Sequence, residues 1–527
     1  MKVLVIGGTG VFGALLCDLL DRDGHAVTIA SRSTPENTAF PHLKFDRNGP
    51  LDAVNGFDVV VDAAGPFHAY GNEPYRIARA AIAVDAHYFD LSDNADFCQG
   101  INALDAEAKA AGVAVVSGMS SVPAISSAAV TALCAGQQPL MIESAIVPGN
   151  KAPRGRSVVE SILSQTGMDY QITQDGRQES ERSWSDPRVY DIGKGHHRQA
   201  WRIEVPDQRL FPQHFNCPTV TFRAGLELGV MNYSLGILSW FRSRIGFKIP
   251  NWMVSGVLEI AKFLASFGTD IGGMVVAVTV PDGTGFTRKS WTLLAENGDG
   301  PYTPTIAIRA ACREIEKVPH GAFPALGVVG LDAISSCFDD LDITTTITEM
   351  PAIPPFKAVL AGSFEGLDPV VRATHDAVTP RRFSGKSSVT RGTGFLARVA
   401  ALVIGFPPTG DDVPVTVTKV PNANGETWVR QFGKSTFKSY LSQTSQGGMR
   451  ERFGLMVFDI DLTVKDGTLQ FPLKRGRCLG IPIPSFLLPK SEATEYVEDG
   501  LFHFDVHLKT PTGATLVHYR GWLEPDA

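Results

Sequence analysis

The length, composition and charge of the chain already restrict its class. It has 527 residues, 44% hydrophobic and 20% charged, which is typical of soluble globular proteins and too long for a single core. The formal net charge of -7 gives no basic surplus to neutralise phosphates, so we expect no nucleic-acid partner. The seven cysteines form no C-x-x-C pair and no signal-peptide pattern opens the chain, which predicts a cytoplasmic protein without a metal site or disulfide framework.

The first thirteen residues predict a dinucleotide-binding turn. Residues 3–6 are continuously apolar, as in a strand buried on both faces of a parallel sheet, and an apolar helical pattern begins near residue 11. Glycines between a strand and a helix permit a tight turn, close approach of a pyrophosphate and close helix–strand packing. The predicted cofactor-binding residues of this turn are Gly7, Gly8, Thr9, Gly10, Val11, Phe12 and Gly13.

The end of the second predicted strand, residues 26–30, favours NADP(H) over NAD(H). Ser31, Arg32 and Ser33 follow it, about twenty positions after the glycines, where such folds meet the adenosine ribose. An acidic residue there would bind the ribose 2′-hydroxyl, whereas a guanidinium between two hydroxyls suits a 2′-phosphate. A solvated arginine in a surface loop is the alternative.

Strands and helices continue to alternate, which predicts a doubly wound parallel sheet. Further strands are predicted over residues 43–45, 59–61 and 113–116, with helices over 73–86 and 100–111. Asp46 follows one strand and either contacts the adenine or ends the strand. Ala64, Gly65 and Pro66 follow the next, and their small size leaves room for the cofactor to cross the sheet.

Three further turns carry a family resemblance: AAGPF at 63–67, HYFDLSD at 87–93 and SGMSSVPA at 117–124. With the glycine loop, they resemble the saccharopine-dehydrogenase-like oxidoreductases in the same order, over roughly residues 1–340. The resemblance implies an α/β fold with a Rossmann domain that binds NAD(P)(H), residues 1–140, completed by about 300–340. It also implies an inserted α/β substrate or dimerisation domain over residues 141–299.

A basic turn precedes a predicted helix over residues 157–165 of the inserted domain. Lys151, Arg154 and Arg156 lie in this turn, with Gly155 between the arginines. Cations before a helix N-terminus suit an anionic substrate group. A solvated basic turn is the equally supported alternative.

Residues 228–267 form an unusually apolar segment. Residues 228–241 carry no charge but are too few to span a bilayer, and a second helical stretch covers 252–267. Trp240 and Trp252 beside cations are consistent with an interfacial element, which would give peripheral membrane contact. The favoured alternative is an internal helical pair that lines a substrate pocket, or a homodimer contact.

The C-terminal third changes character after the linker prolines 351, 354 and 355. Residues 356–527 are predicted to form a separate β-rich α+β domain, with hairpin turns at 424–425, 466–467 and 499–500. This part resembles an uncharacterised domain that follows saccharopine-dehydrogenase-like halves. His503, Asp505 and His507 alternate on one strand face, which favours solvent exposure over a metal site. Apolar residues and prolines at 482–488 either rim a cavity or pack the β domain.

The sequence therefore predicts an NADP(H)-dependent oxidoreductase that transfers hydride to or from a C=N, C=C or C=O group of a small-molecule or lipid-like substrate. Tyr70, Asp90 and Ser120 follow strand carboxyl ends, where ligands bind in such sheets, and are the candidate catalytic residues. Two alternatives remain: a non-catalytic NADP(H)-binding sensor or scaffold, and a lipid-linked enoyl reductase at the membrane surface.

Overall fold

The computed structural model describes residues 1–35, 38–153, 155–283, 285–422 and 425–526. These divide into two compact units. The first comprises Met1–Asp282 and Thr287–Met350, and the second comprises Gly283–Phe286 and Pro351–Ala527.

The first unit begins with alternating strands and helices: β1 (Lys2–Ile6), α1 (Val11–Arg22), β2 (Ala26–Ser31), β3 (His42–Lys44), β4 (Val59–Asp62), α2 (Arg76–Ile82), β5 (His87–Asp90), α3 (Ala95–Gly100), α4 (Asp105–Ala111), β6 (Ala114–Ser117) and α5 (Ser126–Cys134). It continues with β7 (Met141–Val147), α6 (Arg156–Gln165), β8 (Asp169–Gln174), β9 (Arg177–Arg182), β10 (Arg188–Asp191), β11 (His197–Arg202), α7 (Pro206–His214), β12 (Val220–Ala224), α8 (Gly229–Ile245), α9 (Asn251–Leu264), β13 (Gly272–Asp282), β14 (Gly285–Ala295), α10 (Ile306–Arg313), β15 (Gly321–Pro324), α11 (Leu331–Ser336) and β16 (Ile343–Pro351).

A parallel sheet organises the nucleotide-binding half. Within the described residues its seven strands run in the order β15-β6-β5-β4-β1-β2-β3. Val3 pairs with Val27 of β2 on one side and Val59 of β4 on the other, and all three are buried. This is the Rossmann arrangement, in which the strand order reverses between β1 and β4 and ligands bind beyond the strand carboxyl ends. The predicted doubly wound fold is confirmed.

Two predicted helices of this half are shorter than the sequence indicated. The helix expected over 73–86 is α2, Arg76–Ile82, because Asp85 adopts a left-handed φ of +57° that a helix does not tolerate. The helix expected over 100–111 is two helices joined by a 3₁₀ turn, Ile101–Leu104. Asn94 starts the first of them by accepting a hydrogen bond from the Phe97 amide.

A mixed sheet follows in the first unit. Its seven strands, counted within the described part of the chain, run in the order β10-β11-β12-β7-β13-β14-β16. β12 is parallel to β7, whereas β13 is antiparallel to it. β8 and β9 form a separate antiparallel hairpin.

Helices α8 and α9 place much of their apolar surface in solvent. The exposed fractions reach 69% at Ile245, 74% at Trp252 and 70% at Phe263. The expected internal helical pair is therefore wrong for this face. The inward side of α9 does pack on α6, where Val159, Leu163 and Val254 form a small buried cluster.

The second unit is β-rich, as predicted. Its elements are α12 (Pro355–Leu360), α13 (Pro369–His375), β17 (Arg381–Arg391), α14 (Phe395–Ile404), β18 (Gly410–Asn422), β19 (Gly425–Phe432), β20 (Ser435–Gln443), β21 (Met449–Phe453), β22 (Met456–Ile460), β23 (Thr463–Lys465), β24 (Thr468–Gln470), β25 (Leu473–Cys478), β26 (Ile481–Ile483), β27 (Lys490–Glu498), β28 (Leu501–Lys509) and β29 (Thr515–Pro525). The predicted turns at 466–467 and 499–500 join β23 to β24 and β27 to β28, each with two left-handed residues. Asn424, in the third predicted turn, lies outside the described residues.

The large sheet of this unit curls strongly. Its thirteen described strands run in the order β23-β24-β27-β28-β29-β17-β18-β19-β20-β21-β22-β25-β26. β22 and β23 lie towards opposite ends of this order, yet only residues 461–462 separate them in the chain. Since so short a segment spans about 10 Å, the two ends of the sheet must approach each other. The curl encloses a core that includes Phe356, Trp428 and Phe437.

Candidate functional site

The glycine loop is shaped by contacts that exclude side chains. A Cβ at Gly13 would lie 2.2 Å from the carbonyl oxygen of Gly7, and one at Gly8 would lie 2.6 Å from the Ile29 side chain. Gly7 itself has a left-handed φ of +81°. These close approaches bring the start of α1 directly against the end of β1.

The start of α1 offers backbone amides for an anion. Gly10 is the N-cap, and the first intrahelical hydrogen bond in this turn runs from the Ala14 amide to the Gly10 carbonyl. The preceding helical amides, at Val11, Phe12 and Gly13, are those that an α-helix leaves without an intrahelical acceptor. This cradle fits the pyrophosphate of a dinucleotide.

At the end of β2, Arg32 is exposed and pairs with no other described residue. Ser33 is exposed beside it. The Ser31 hydroxyl is already engaged, because it donates to the Ser33 carbonyl at 2.7 Å and bonds His42 Nε2 at 2.9 Å. Asp46 is also exposed, and its carboxylate accepts from the Asn48 amide at 3.0 Å.

The turn after β4 sits on a buried ion pair. Asp62 is fully buried, and its carboxylate accepts hydrogen bonds from Arg47 at 3.2 Å, the Tyr70 hydroxyl at 3.2 Å and the Ala64 amide at 3.1 Å. The Arg47 guanidinium also lies 3.5 Å from the centre of the Tyr70 ring. Burial raises the pKa of Asp62 despite this cation. The structure thus places Tyr70 in a network that fixes residues 62–64.

Asp90 ends the neighbouring strand and is the register partner of Asp62. Its Oδ1 accepts from the Gly118 amide at 2.8 Å, the Ser92 amide at 3.0 Å and the Ser117 hydroxyl at 3.0 Å. Its Oδ2 has no hydrogen-bond partner among the described residues, although the side chain is fully buried. Burial raises the pKa of Asp90 to about 7, against these hydrogen bonds. At neutral pH this carboxyl is poised between its two protonation states.

An apolar pocket of about 210 Å³ lies next to the glycine loop. Phe12 of α1 and Ser121, which follows Ser120, belong to the nucleotide-binding half and line it together with Ile146, Val159 and Met274 from the inserted part. Ser120 itself is half-buried. The pocket therefore joins the predicted cofactor cradle to an apolar compartment.

Helix α6 ties the inserted part to the cofactor turn. The Ser157 hydroxyl donates to the Gly65 carbonyl at 3.3 Å, and the Ser161 hydroxyl donates to Asp93 at 3.1 Å. The predicted basic turn before this helix is only partly described. Lys151 is exposed, Arg156 pairs with Glu160 at 2.6 Å, and Arg154 lies outside the described residues.

Three site residues escaped the sequence analysis: Arg47, Arg76 and Ser157. Arg76 donates to the carbonyls of Arg47 and Gly49 and so fixes the loop that carries Asp46. None of the three belongs to a local motif. The sequence did contain one indication of Arg47: Asp62 ends a strand that is predicted to be buried, and a buried carboxylate requires a cationic partner.

The fold and cradle define the first unit as a Rossmann-type dinucleotide-binding protein. Residues 3–116 match the family model described as "Saccharopine dehydrogenase NADP binding domain", and residues 367–523 match "Domain of unknown function (DUF4166)". The chain thus has a saccharopine-dehydrogenase-type NADP-binding domain at its N-terminus and a DUF4166 domain at its C-terminus. The cofactor class of this domain is a nicotinamide dinucleotide.

Several solved structures resemble a small part of the chain. A putative NADH-flavin reductase from Streptococcus pneumoniae TIGR4 is 22% identical over 17% of this chain and 46% of its own, with a TM-score of 0.15. A UDP-N-acetylglucosamine 4-epimerase from Bacillus cereus is 20% identical over 17% and 34%, with a TM-score of 0.15. An oxidoreductase from Lactococcus lactis is 18% identical over 18% and 48%, with a TM-score of 0.15. The chain spans less than half the length of each.

No curated protein matches the sequence. Among the described residues, no helix is both long and apolar enough to cross a membrane.

Proposed function

We propose that this protein is an NADP(H)-dependent oxidoreductase that transfers hydride to or from a C=N, C=C or C=O group of an apolar, small-molecule or lipid-like substrate. The observation that carries the proposal is the pocket beside the glycine loop, where Phe12 and Ser121 form one wall. An apolar compartment next to a dinucleotide cradle is where a reducible substrate would meet the cofactor.

Residues of this chain would bind the cofactor in two places. The amides at the start of α1 hold the pyrophosphate, and Arg32 with Ser33 holds the 2′-phosphate. The bound nicotinamide supplies the hydride. Ser120 would contact the substrate or nicotinamide, whereas Tyr70 and Asp90 would position the turns at 62–66 and 117–118, since their polar atoms already bond those turns.

The first test is titration of the purified protein with NADPH and NADH by calorimetry. Because a hydrogen bond to a charged group contributes about 1.5–3 kcal/mol, Arg32→Ala should weaken NADPH binding roughly ten- to hundredfold and leave NADH binding unchanged. Arg79→Ala, at an exposed arginine of α2, is the matched control and should alter neither affinity. Equal losses for both nucleotides would contradict the 2′-phosphate assignment.

A second measurement separates an enzyme from a sensor. Candidate imines, enones and long-chain carbonyl compounds are added to the protein at saturating NADPH. Oxidation of NADPH is followed by the loss of absorbance of its reduced nicotinamide ring. Turnover that Ser120→Ala slows without weakening NADPH binding supports the oxidoreductase. Tight NADPH binding with no turnover on any of these compounds supports the alternative of a cofactor-binding scaffold.

We further propose that the outward face of α8 and α9 contacts a membrane surface. Large apolar side chains are exposed there, including Ile245, Trp252 and Phe263, and the Arg244 guanidinium lies 4.0 Å from the centre of the Trp240 ring. Exposed aromatic and apolar side chains beside cations are typical of interfacial helices. This contact would suit a lipid-like substrate.

Co-sedimentation with anionic phospholipid vesicles tests the membrane proposal. Ile245→Glu with Trp252→Glu should reduce the bound fraction severalfold, because two charges replace apolar side chains at the interface. Val189→Glu, at an exposed valine of β10, is the control and should bind like wild type. If the double variant instead converts a dimer to a monomer with vesicle binding unchanged, the face is a homodimer contact.

A further inference from the structure

The curled sheet of the second unit encloses an apolar cavity of about 180 Å³. Protein interiors are normally close-packed, and a lined void of this size is large enough to take a small organic ligand. Phenylalanines supply much of the wall, from strands β21, β22, β28 and the segment before β25, and the inward face of α14 adds Ala400 and Ile404. The compartment therefore suits an apolar chain.

The cavity wall also carries charged side chains, and their charges are paired with one another. Arg430 donates to the Ser439 hydroxyl at 2.6 Å and to Glu451 at 3.1 Å. Lys419 donates to the Thr374 carbonyl at 2.8 Å and to His375 Nδ1 at 3.2 Å. Two lining cations thus face two lining carboxylates, those of Glu451 and Glu495.

His375 links the lysine to the second carboxylate. Since Lys419 donates to Nδ1, the ring proton lies on Nε2 and is donated to Glu495, 2.6 Å away. Burial lowers the pKa of His375 to about 4, so the imidazole is neutral at physiological pH. An additional negative charge placed here would meet no uncompensated cation, which argues against an anionic ligand head.

Tyr519 supplies a polar atom that these pairs do not use. Its ring packs between Phe432 and Phe504, with ring centres 5.2 and 6.1 Å away. The residue is 7% exposed and lines the cavity, and its hydroxyl forms no hydrogen bond with another described residue. This phenol therefore faces the cavity with a free O–H donor, from which a ligand oxygen could accept a hydrogen bond.

We propose that this cavity binds a neutral single-chain lipid, whose apolar chain lies among the phenylalanines and whose hydroxyl or carbonyl oxygen accepts a hydrogen bond from Tyr519. This assigns a ligand to the domain of unknown function. It goes beyond the proposed oxidoreductase and does not depend on the nucleotide site.

Displacement of the fluorescent dye N-phenyl-1-naphthylamine from the full-length protein tests the proposal. 1-Decanol and 2-decanone are the neutral probes, and decanoate is the anionic probe of the same chain length. We expect both neutral probes to displace the dye at concentrations at least tenfold below that of decanoate. Preference for decanoate, or no displacement by any probe, would overturn the proposal.

Two variants locate the binding. Tyr519→Phe keeps the ring packing and should weaken the neutral probes roughly three- to tenfold, as expected for loss of one neutral hydrogen bond. Tyr496→Phe removes a hydroxyl from a half-buried tyrosine of β27 outside the cavity wall, and its affinities should equal those of wild type.

Filling the cavity gives an independent readout. Ala493 lines the wall, so Ala493→Leu should weaken every probe that wild type binds, with circular dichroism confirming an unchanged fold. If Tyr519→Phe and Tyr496→Phe have equal effects, or if Ala493→Leu has none, the probes bind elsewhere and the assignment is wrong.

Discussion

Replacing Asp90 by Asn should make the stability of the first unit less sensitive to pH. The side chain is fully buried, and burial raises its pKa to about 7 from an unfolded value of 3.8. A carboxyl whose pKa is raised on folding contributes full stability below its unfolded pKa. That contribution is lost as the pH rises towards the folded pKa.

The magnitude follows from the two pKa values. At about 1.4 kcal/mol per pH unit, the interval of roughly three units corresponds to a loss of about 4 kcal/mol between pH 4 and pH 7. Asn has nearly the same shape and is neutral at every pH. Its carbonyl oxygen can still accept the Gly118 and Ser92 amide protons. The unfolding free energy of the variant minus that of wild type should therefore increase as the pH rises.

Urea unfolding at pH 5, 6, 7 and 8, followed by tryptophan fluorescence, measures this difference. The five tryptophans at 184, 201, 240, 252 and 291 lie in the first unit, so its transition dominates the signal. Asp21→Asn, at an exposed position of α1, controls for removal of one surface charge. A difference between Asp90→Asn and wild type that stays constant from pH 5 to pH 8 would refute the assignment of a raised pKa.

Three further substitutions test the packing of the first unit. Gly13→Ala should abolish NADPH binding in calorimetry, because its Cβ would lie 2.2 Å from a backbone oxygen. The control Gly256→Ala, at an open helical position, should bind NADPH like wild type. Arg309→Met should lower the urea-unfolding free energy by about 1–3 kcal/mol, because Asp23 and Asp340 lose the buried guanidinium that joins them but keep Arg313 and Arg22. Glu143→Gln should cost about 3–5 kcal/mol in the same assay, since it removes the buried carboxylate that three arginines share: Arg188, Arg223 and Arg288.

Local patterns were sufficient to predict the Rossmann half. A strand such as β1 is recognisable because its residues 3–6 are all apolar and buried, as expected when both faces are covered. The glycine loop is recognisable because a side chain at each of its glycines would crowd atoms of the loop itself or of an adjoining strand. These causes are short in range, so the sequence displays them directly.

The surroundings of the site depend on pairs that lie far apart in the chain. Asp62 accepts a hydrogen bond from Arg47, 15 residues away in the chain, and Gly65 accepts one from Ser157, 92 residues away. No periodicity links such partners, because the folded sheet alone brings them together. The same holds for the cavity of the second unit: alternation predicted its strands, but Lys419, Glu451 and Tyr519 meet only after the sheet curls.

Helix α8 shows most clearly why composition alone could not decide between burial and exposure. Its two fully buried residues are polar: Asn232 donates to the Leu226 carbonyl at 2.7 Å, and Ser239 donates to the Ser183 carbonyl at 2.7 Å. These side chains bind backbone carbonyls of neighbouring loops, and the Ser183 carbonyl also accepts from the Gly167 amide at 3.2 Å. Leu235 and Leu238 pack against buried clusters, whereas Ile237 and Trp240 are exposed. Burial in this unit does not account for those side chains, and the proposed membrane contact is the arrangement that would cover them.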